Sequence, residues 1–228
     1  KIALIDVRGL IVDDRKSGFL SSGSNPVDDL VASLDKAGKD PQVRAVVLRI
    51  NSPGGGVAAT ETMYADGRGC WVRSGPPGKP VVSAMGEVAA SGGYYLALAG
   101  DELMAQPSTI TGSIGVIIPT INVSAGMSRI GIVARSVKRG TTKALANPLE
   151  PMREDQYAVL QHMVDQFYAE FRGLVLSRRG PHGFNESRAD ELLDGRVFTG
   201  SEAAALKLVD RTGGPREAYG RAREPAGA

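Results

Sequence analysis

The sequence predicts an α/β fold with a mostly parallel core sheet flanked by helices. Short continuous apolar runs, such as 45–50 and 80–85, have the pattern of strands covered on both faces. Segments with apolar residues three and four apart stand between them and read as helices packed on that sheet. Glycine-rich or small-residue turns follow the apolar runs directly, as they do where strands feed into helices.

Residues 2–12 are β-rich and apolar. Asn25 and Pro26 then open a helix, with Asn as N-cap and Pro at the first helical position, and Val27, Leu30, Val31 and Leu34 form its apolar face. The buried run 45–50 leads straight into Asn51-Ser52-Pro53-Gly54-Gly55-Gly56. A second buried strand over 80–85 is followed by 86–91 and by a small-residue helix from Gly92 to about Ala99. Residues 101–105 and 113–118 read as further strands, 122–130 as a helix and 133–138 as a strand. One long amphipathic helix is expected over 154–178, with Tyr157, Leu160, Val164, Phe167, Phe171 and Leu174 on one face. Residues 196–198 are strand-like, and Thr199-x-x-Glu202 is a capping box ahead of an alanine-rich helix that Leu208-Val209-Asp210 closes. With no internal repeat or linker, residues 1–214 are expected to form a single domain. Residues 215–228, rich in Gly, Ala, Pro and Arg, are expected to be a flexible C-terminal tail.

The 228 residues, 42% hydrophobic and 23% charged, suffice for a core without disulfides or metal staples. A net charge of +2, with scattered basic residues, does not point to nucleic acid. A single cysteine, Cys70, excludes an internal disulfide, and His162 and His182 are not in ligand-spaced clusters, so no metal site is expected. No apolar run is long enough to span a bilayer. The chain starts at Lys1 in what reads as a strand, so a leader or anchor is expected to be missing from it. The Gly/Pro-rich stretch 67–78, with Trp71, reads as a divergent loop or a contact surface.

Three segments can carry chemistry. Ser91, in Ala89-Ala90-Ser91-Gly92-Gly93, stands where a strand meets a helix. Small neighbours would let a substrate backbone approach its hydroxyl, and the helix start would direct N–H groups at it. Taken alone, the segment favours a plain N-cap serine. The run Gly54-Gly55-Gly56 can turn N–H groups into a cleft, for phosphate, for an oxyanion or simply as a flexible turn; neither nucleotide-binding glycine pattern is present. A serine nucleophile needs a base. His162 and His182 are not in motif-like settings, whereas Lys143, in Gly140-Thr141-Thr142-Lys143, could serve if burial favoured its neutral form. An exposed lysine is the bland alternative.

Five motifs in order carry a resemblance. Ser52-Pro53-Gly54-Gly55-Gly56, Ala90-Ser91-Gly92-Gly93-Tyr94-Tyr95, Thr111-Gly112-Ser113-Ile114-Gly115-Val116, Gly140-x-x-Lys143 and Asp194-Gly195-Arg196-Val197-Phe198-Thr199-Gly200 together resemble the signal peptide peptidase A family, peptidase family S49, in its short single-unit form. The similarity runs from near residue 1 to about Gly214. It implies a ClpP/crotonase-like fold and a serine endopeptidase that degrades remnant signal peptides or other extended hydrophobic peptides. In that pattern Ser91 is the nucleophile, Lys143 the general base and Ser113 the residue that orients the lysine. Gly54, Gly55 and Gly92 are the candidates for the oxyanion hole. No metal or organic cofactor is implied. The resemblance further implies a ring-like homo-oligomer and association with a bacterial cell membrane through an anchor absent from this chain. Where many members have Asp after the lysine, this chain has Ala144, which puts the order of that loop in question. The rival expectations are an acyl-CoA hydratase or isomerase on the same fold and an inactive scaffold.

Overall fold

The computed structural model describes residues 1–14, 25–73 and 78–224, with only the backbone described at 70–73. The chain divides into two compact units. One comprises Lys1–Gly115 with Phe171–Ala228, and the other is Val116–Glu170.

The larger unit is built on a seven-stranded sheet. The strands are β1 (Ile2–Arg8), β2 (Ala45–Ser52), β3 (Val81–Ala90), β4 (Glu102–Ala105), β5 (Ile110–Gly112), β6 (Val197–Thr199) and β7 (Arg211–Thr212). The main path runs β1-β2-β3-β4-β7, all parallel. β3 is long enough to take two partners on one side: its first half pairs with β4, and its end, Val88–Ala90, pairs in parallel with β5. β6 then adds antiparallel to β5. Parallel pairing demands crossovers. They are provided by α1 (Pro26–Lys39), α2 (Val57–Arg73) and α3 (Gly92–Ala97).

Alternation along β2 divides the core. Val46, Leu48 and Ile50 join the larger apolar cluster with Leu30 and Leu34 of α1, Met63 of α2 and Leu96 of α3. Ala45 and Val47 face the other way, with Val82, Ala84 and Met104, and are covered by Ala218 and Ala222. Complete burial of a valine or leucine contributes about 1.5–3 kcal/mol, so a strand buried on both faces is worth more than its length suggests. Asn25 caps α1 by accepting the N–H of Val27 at 2.9 Å, and Thr199 with Glu202 forms the expected capping box at α7 (Gly200–Ala205).

Ala218 and Ala222 lie on α8 (Pro215–Arg223), in the segment expected to be a flexible tail. Its alanines pack closely on the sheet, and Arg221 donates to Glu102 at 2.9 Å, so burial on a surface far away in sequence orders a composition that looks loose. β7, two residues long, is likewise too short to carry a strand pattern in the sequence.

The smaller unit holds α4 (Ser124–Arg129) and the beginning of α5 (Glu154–Arg179), whose residues from Phe171 belong to the larger unit. The strands expected at 113–118 and 133–138 are absent. β5 stops at Gly112 because the chain turns there: Gly112 and Ser113 have φ of +82° and +51°, and the N–H of Ser113 goes to the Arg196 carbonyl at 2.7 Å. An apolar run becomes a strand only where a neighbour takes its backbone groups. On α5, Phe171 and Val175 are buried and Leu160, Val164, Phe167 and Leu174 half-buried, while Tyr157 is exposed. The 67–78 stretch is helical as far as Arg73, as part of α2. Residues 74–77, and the side chains of Cys70 and Trp71, lie outside the described residues. No described helix is long and apolar enough to cross a membrane.

Candidate active site

Ser91 stands between the end of β3 and the start of α3 with φ 53° and ψ −123°. Non-glycine residues rarely adopt such angles, and strain of this kind persists only where surrounding structure imposes it. Two bonds impose it here. The Ser91 N–H donates to the Gly112 carbonyl at 2.9 Å, and the Ser91 carbonyl accepts the Tyr95 N–H at 2.9 Å. The side chain makes no capping hydrogen bond, so the plain N-cap role is not the one it plays.

Neighbouring residues fasten this turn. Tyr94, fully buried, donates its hydroxyl to the Leu208 carbonyl at 2.7 Å, and burial pushes its phenol well above the usual range. Tyr95 meets Tyr64 edge-on at 5.4 Å and Phe171 at 5.0 Å between ring centres. Thr111, fully buried, donates to the Ala89 carbonyl at 2.7 Å, locking β5 against the end of β3.

The glycine run lies directly against Ser91. A Cβ on Gly54 would stand 2.6 Å from the Gly92 nitrogen and 3.0 Å from the Ser91 Cβ, and Gly54 has φ +102°, so glycine is required there. A Cβ on Gly92 would stand 3.2 Å from the Gly54 Cα and 3.3 Å from the Gly55 nitrogen. The loop is held from both sides. Ile11 donates its N–H to the Gly54 carbonyl and accepts the Gly56 N–H, each at 2.9 Å. Ser52, fully buried, accepts the Gly54 N–H on its Oγ at 3.1 Å. Gly54's N–H is therefore engaged within the loop, whereas that of Gly55 has no acceptor among the described hydrogen bonds.

Ser113 follows Gly112 and is half-buried. The Asp194–Gly200 motif holds this turn from outside: a Cβ on Gly112 would meet the Phe198 ring at 2.7 Å, and one on Gly115 would stand 3.2 Å from the Gly195 Cα. Asp194 keeps that motif folded by accepting from Arg196 at 2.8 Å, which lowers its carboxyl to about 2.

Ser91, Ser113, Gly54, Gly55 and Gly92 all lie in the larger unit, and Lys143 lies in the smaller one. Lys143 is exposed, in the turn 141–146, with its N–H on the Gly140 carbonyl at 3.2 Å. Arg153 braces this turn by donating to the Thr141 carbonyl at 3.3 Å, and Lys138 pairs with Glu150 at 2.8 Å. The two histidines have other surroundings. His162 is exposed on α5, and His182 Nδ1 is 2.7 Å from the Asp210 carboxylate.

Sequence reasoning did not single out Ile11, Ser52 or Thr111. Ser52 and Thr111 stand inside quoted motifs and could have been questioned as buried hydroxyls; Ile11 carries no signal, since only its backbone is used.

The chain compares with known proteins as this site suggests. The model of "Peptidase family S49" matches residues 76–228. Protease 4 of Haemophilus influenzae is 33% identical over 226 residues, which is 98% of this chain and 34% of that protein. Protease 4 of Salmonella typhi is 34% identical over 231 residues, covering 99% of this chain and 34% of that one. An Arabidopsis thaliana protein named "Serine protease SPPA, chloroplastic" is 30% identical over 230 residues, 99% of this chain and 32% of its own length. The chain thus spans about a third of the length of these relatives. With its parallel sheet, its strained serine turn and a family match over two thirds of its length, the chain belongs to peptidase family S49 and has the ClpP/crotonase-like α/β fold of that family.

Proposed function

We propose that the chain is the catalytic unit of a serine endopeptidase acting on extended peptides, with Ser91 as nucleophile and Lys143 as general base. The observation that carries this reading is the conformation of Ser91, which is strained, free of a capping bond and packed against Gly54. The Ser91 hydroxyl attacks the scissile carbonyl, and its proton passes to the neutral amine of Lys143 and then to the leaving amine. The oxyanion is held by the N–H groups of Gly55 and Gly92, Gly54 having committed its own to Ser52. Ser113 orients the lysine amine. No metal or organic cofactor takes part.

An exposed lysine is a poor base because water favours its charged form. Lys143 is exposed in the single chain, and in the ring-like homo-oligomer proposed here a neighbouring subunit would cover it. An enclosed ring would admit extended peptides such as remnant signal peptides and exclude folded proteins. Membrane association would bring such an enzyme to its substrates. The test is labelling with a fluorophosphonate. Modification of Ser91, lost in Ser91→Ala, is the expected result. An unlabelled Ser91 in protein that cleaves peptides would overturn the assignment, and an acyl-CoA hydratase or a scaffold would show neither labelling nor cleavage.

A further inference from the structure

We propose that Ser52 is a positioning residue for catalysis, selecting which glycine N–H faces the oxyanion. The proposal rests on the reading of Ser91 as nucleophile. Three successive glycines could present three N–H groups in many arrangements, since each tolerates angles that other residues avoid. Two of the three are fixed: Gly56 donates to Ile11, and Gly54 donates to Ser52 Oγ at 3.1 Å. What remains is the Gly55 N–H, on the side of the loop that lies against Gly92. Ile11 restrains the loop from its outer side, whereas Ser52 is the side chain that holds Gly54 from within.

Removing the Ser52 hydroxyl would leave the buried Gly54 N–H without its acceptor, a cost that drives the 53–54 peptide to turn toward another one. The Gly55 N–H shares its peptide plane with the Gly54 carbonyl, which Ile11 holds at 2.9 Å, so the rotation reaches it through displacement of the shared Gly54 Cα. The strand beneath need not move. Ser52 is in register with Ala89 of β3, and a Cβ on Gly93 would run into the Ser52 carbonyl, so backbone packing keeps Ser52 in place. The hydroxyl therefore governs the Gly54 peptide, and through the Gly54 Cα the placing of the next N–H, more than it governs the fold.

The distinguishing measurement compares the full chain with Ser52→Ala for peptide turnover and for inhibition by a peptide aldehyde, whose adduct with a serine places an oxyanion in the same hole. A misdirected donor should lower kcat by about 10- to 100-fold and weaken aldehyde binding in parallel, while KM and the thermal midpoint change little. Ser52→Thr, which restores the acceptor, should recover part of the lost kcat. Should Ser52→Ala fail to fold, Ser52→Cys keeps a side chain of similar size with a weaker acceptor and should show the same paired loss to a smaller degree. A folded Ser52→Ala or Ser52→Cys protein with unchanged kcat and aldehyde affinity overturns the proposal. So does a loss of kcat that merely follows the folded fraction. Turnover that survives Ser91→Ala would instead overturn the underlying assignment of the nucleophile.

Discussion

The Ser91 N–H donates to the carbonyl of Gly112, and the residue after Gly112 is Ser113. Through this one bond the end of β3 and the end of β5 fix two hydroxyls of the proposed site relative to each other. Replacing Ser91 by Ala should abolish peptide cleavage and leave the circular dichroism spectrum and melting midpoint close to those of the parent. Turnover in a folded, contaminant-free Ser91→Ala sample would refute the nucleophile.

Lys143→Ala should lose activity by about 10²- to 10⁴-fold, the usual worth of general-base assistance. Ser113→Ala should lose less, since its proposed role is to orient the amine without carrying the proton. His182→Ala is the control. A loss as large as that of Lys143→Ala would return the base to histidine.

Gly54→Ala should damage both stability and turnover. A methyl there would meet the Gly92 nitrogen at 2.6 Å and the Ser91 Cβ at 3.0 Å, with the backbone at φ +102°. The backbone strain alone costs about 1–3 kcal/mol, readable from urea unfolding, and displacement of Ser91 should lower kcat further. Gly126, with nothing within 4 Å of an added Cβ, is the comparison site: Gly126→Ala should unfold at the parent's urea concentration or above.

Acid should loosen the larger unit through Asp210. Its carboxylate accepts from the fully buried Arg179 at 2.9 Å, from the Leu103 N–H at 2.7 Å and faces His182 Nδ1 at 2.7 Å. Burial alone would raise the Asp210 carboxyl, but the Arg179 and Leu103 hydrogen bonds outweigh it and hold the group below its usual value. A carboxyl lowered by folding stabilises the native state above its unfolded value of about 3.9 and gives up that contribution as pH falls through the folded one. Asp210→Asn should therefore unfold earlier at neutral pH, by about 3–5 kcal/mol, because it strands a buried guanidinium. The gap to the parent should narrow in acid. A constant gap from neutral to strongly acidic pH would show that the carboxylate charge is not the cause.

The proposed ring predicts a large closed oligomer by light scattering, and digestion that spares a rigid folded protein while cutting its unfolded form. A fully active monomer would count against the ring and leave Ser91 untouched.

The sequence by itself determined most of the larger unit's strands and helices and the local chemistry of its turns. Buried strands read as unbroken apolar runs, and Asn25, Thr199 and Glu202 announce their caps, because period, capping and the freedom of glycine are properties of a few adjacent residues. Tertiary structure decided whatever depends on a distant neighbour. It made a helix of 215–223, since the face that buries Ala218 and Ala222 is supplied by Ala45, Val47 and Val82. It withheld strands from 113–118 and 133–138, since apolar residues make a strand only beside another strand. It also showed that the Ser91 hydroxyl is spared from capping and that the Gly54 N–H is spent on Ser52. A hydrogen bond's direction is set by where two remote backbones meet, and no spacing along the chain records that.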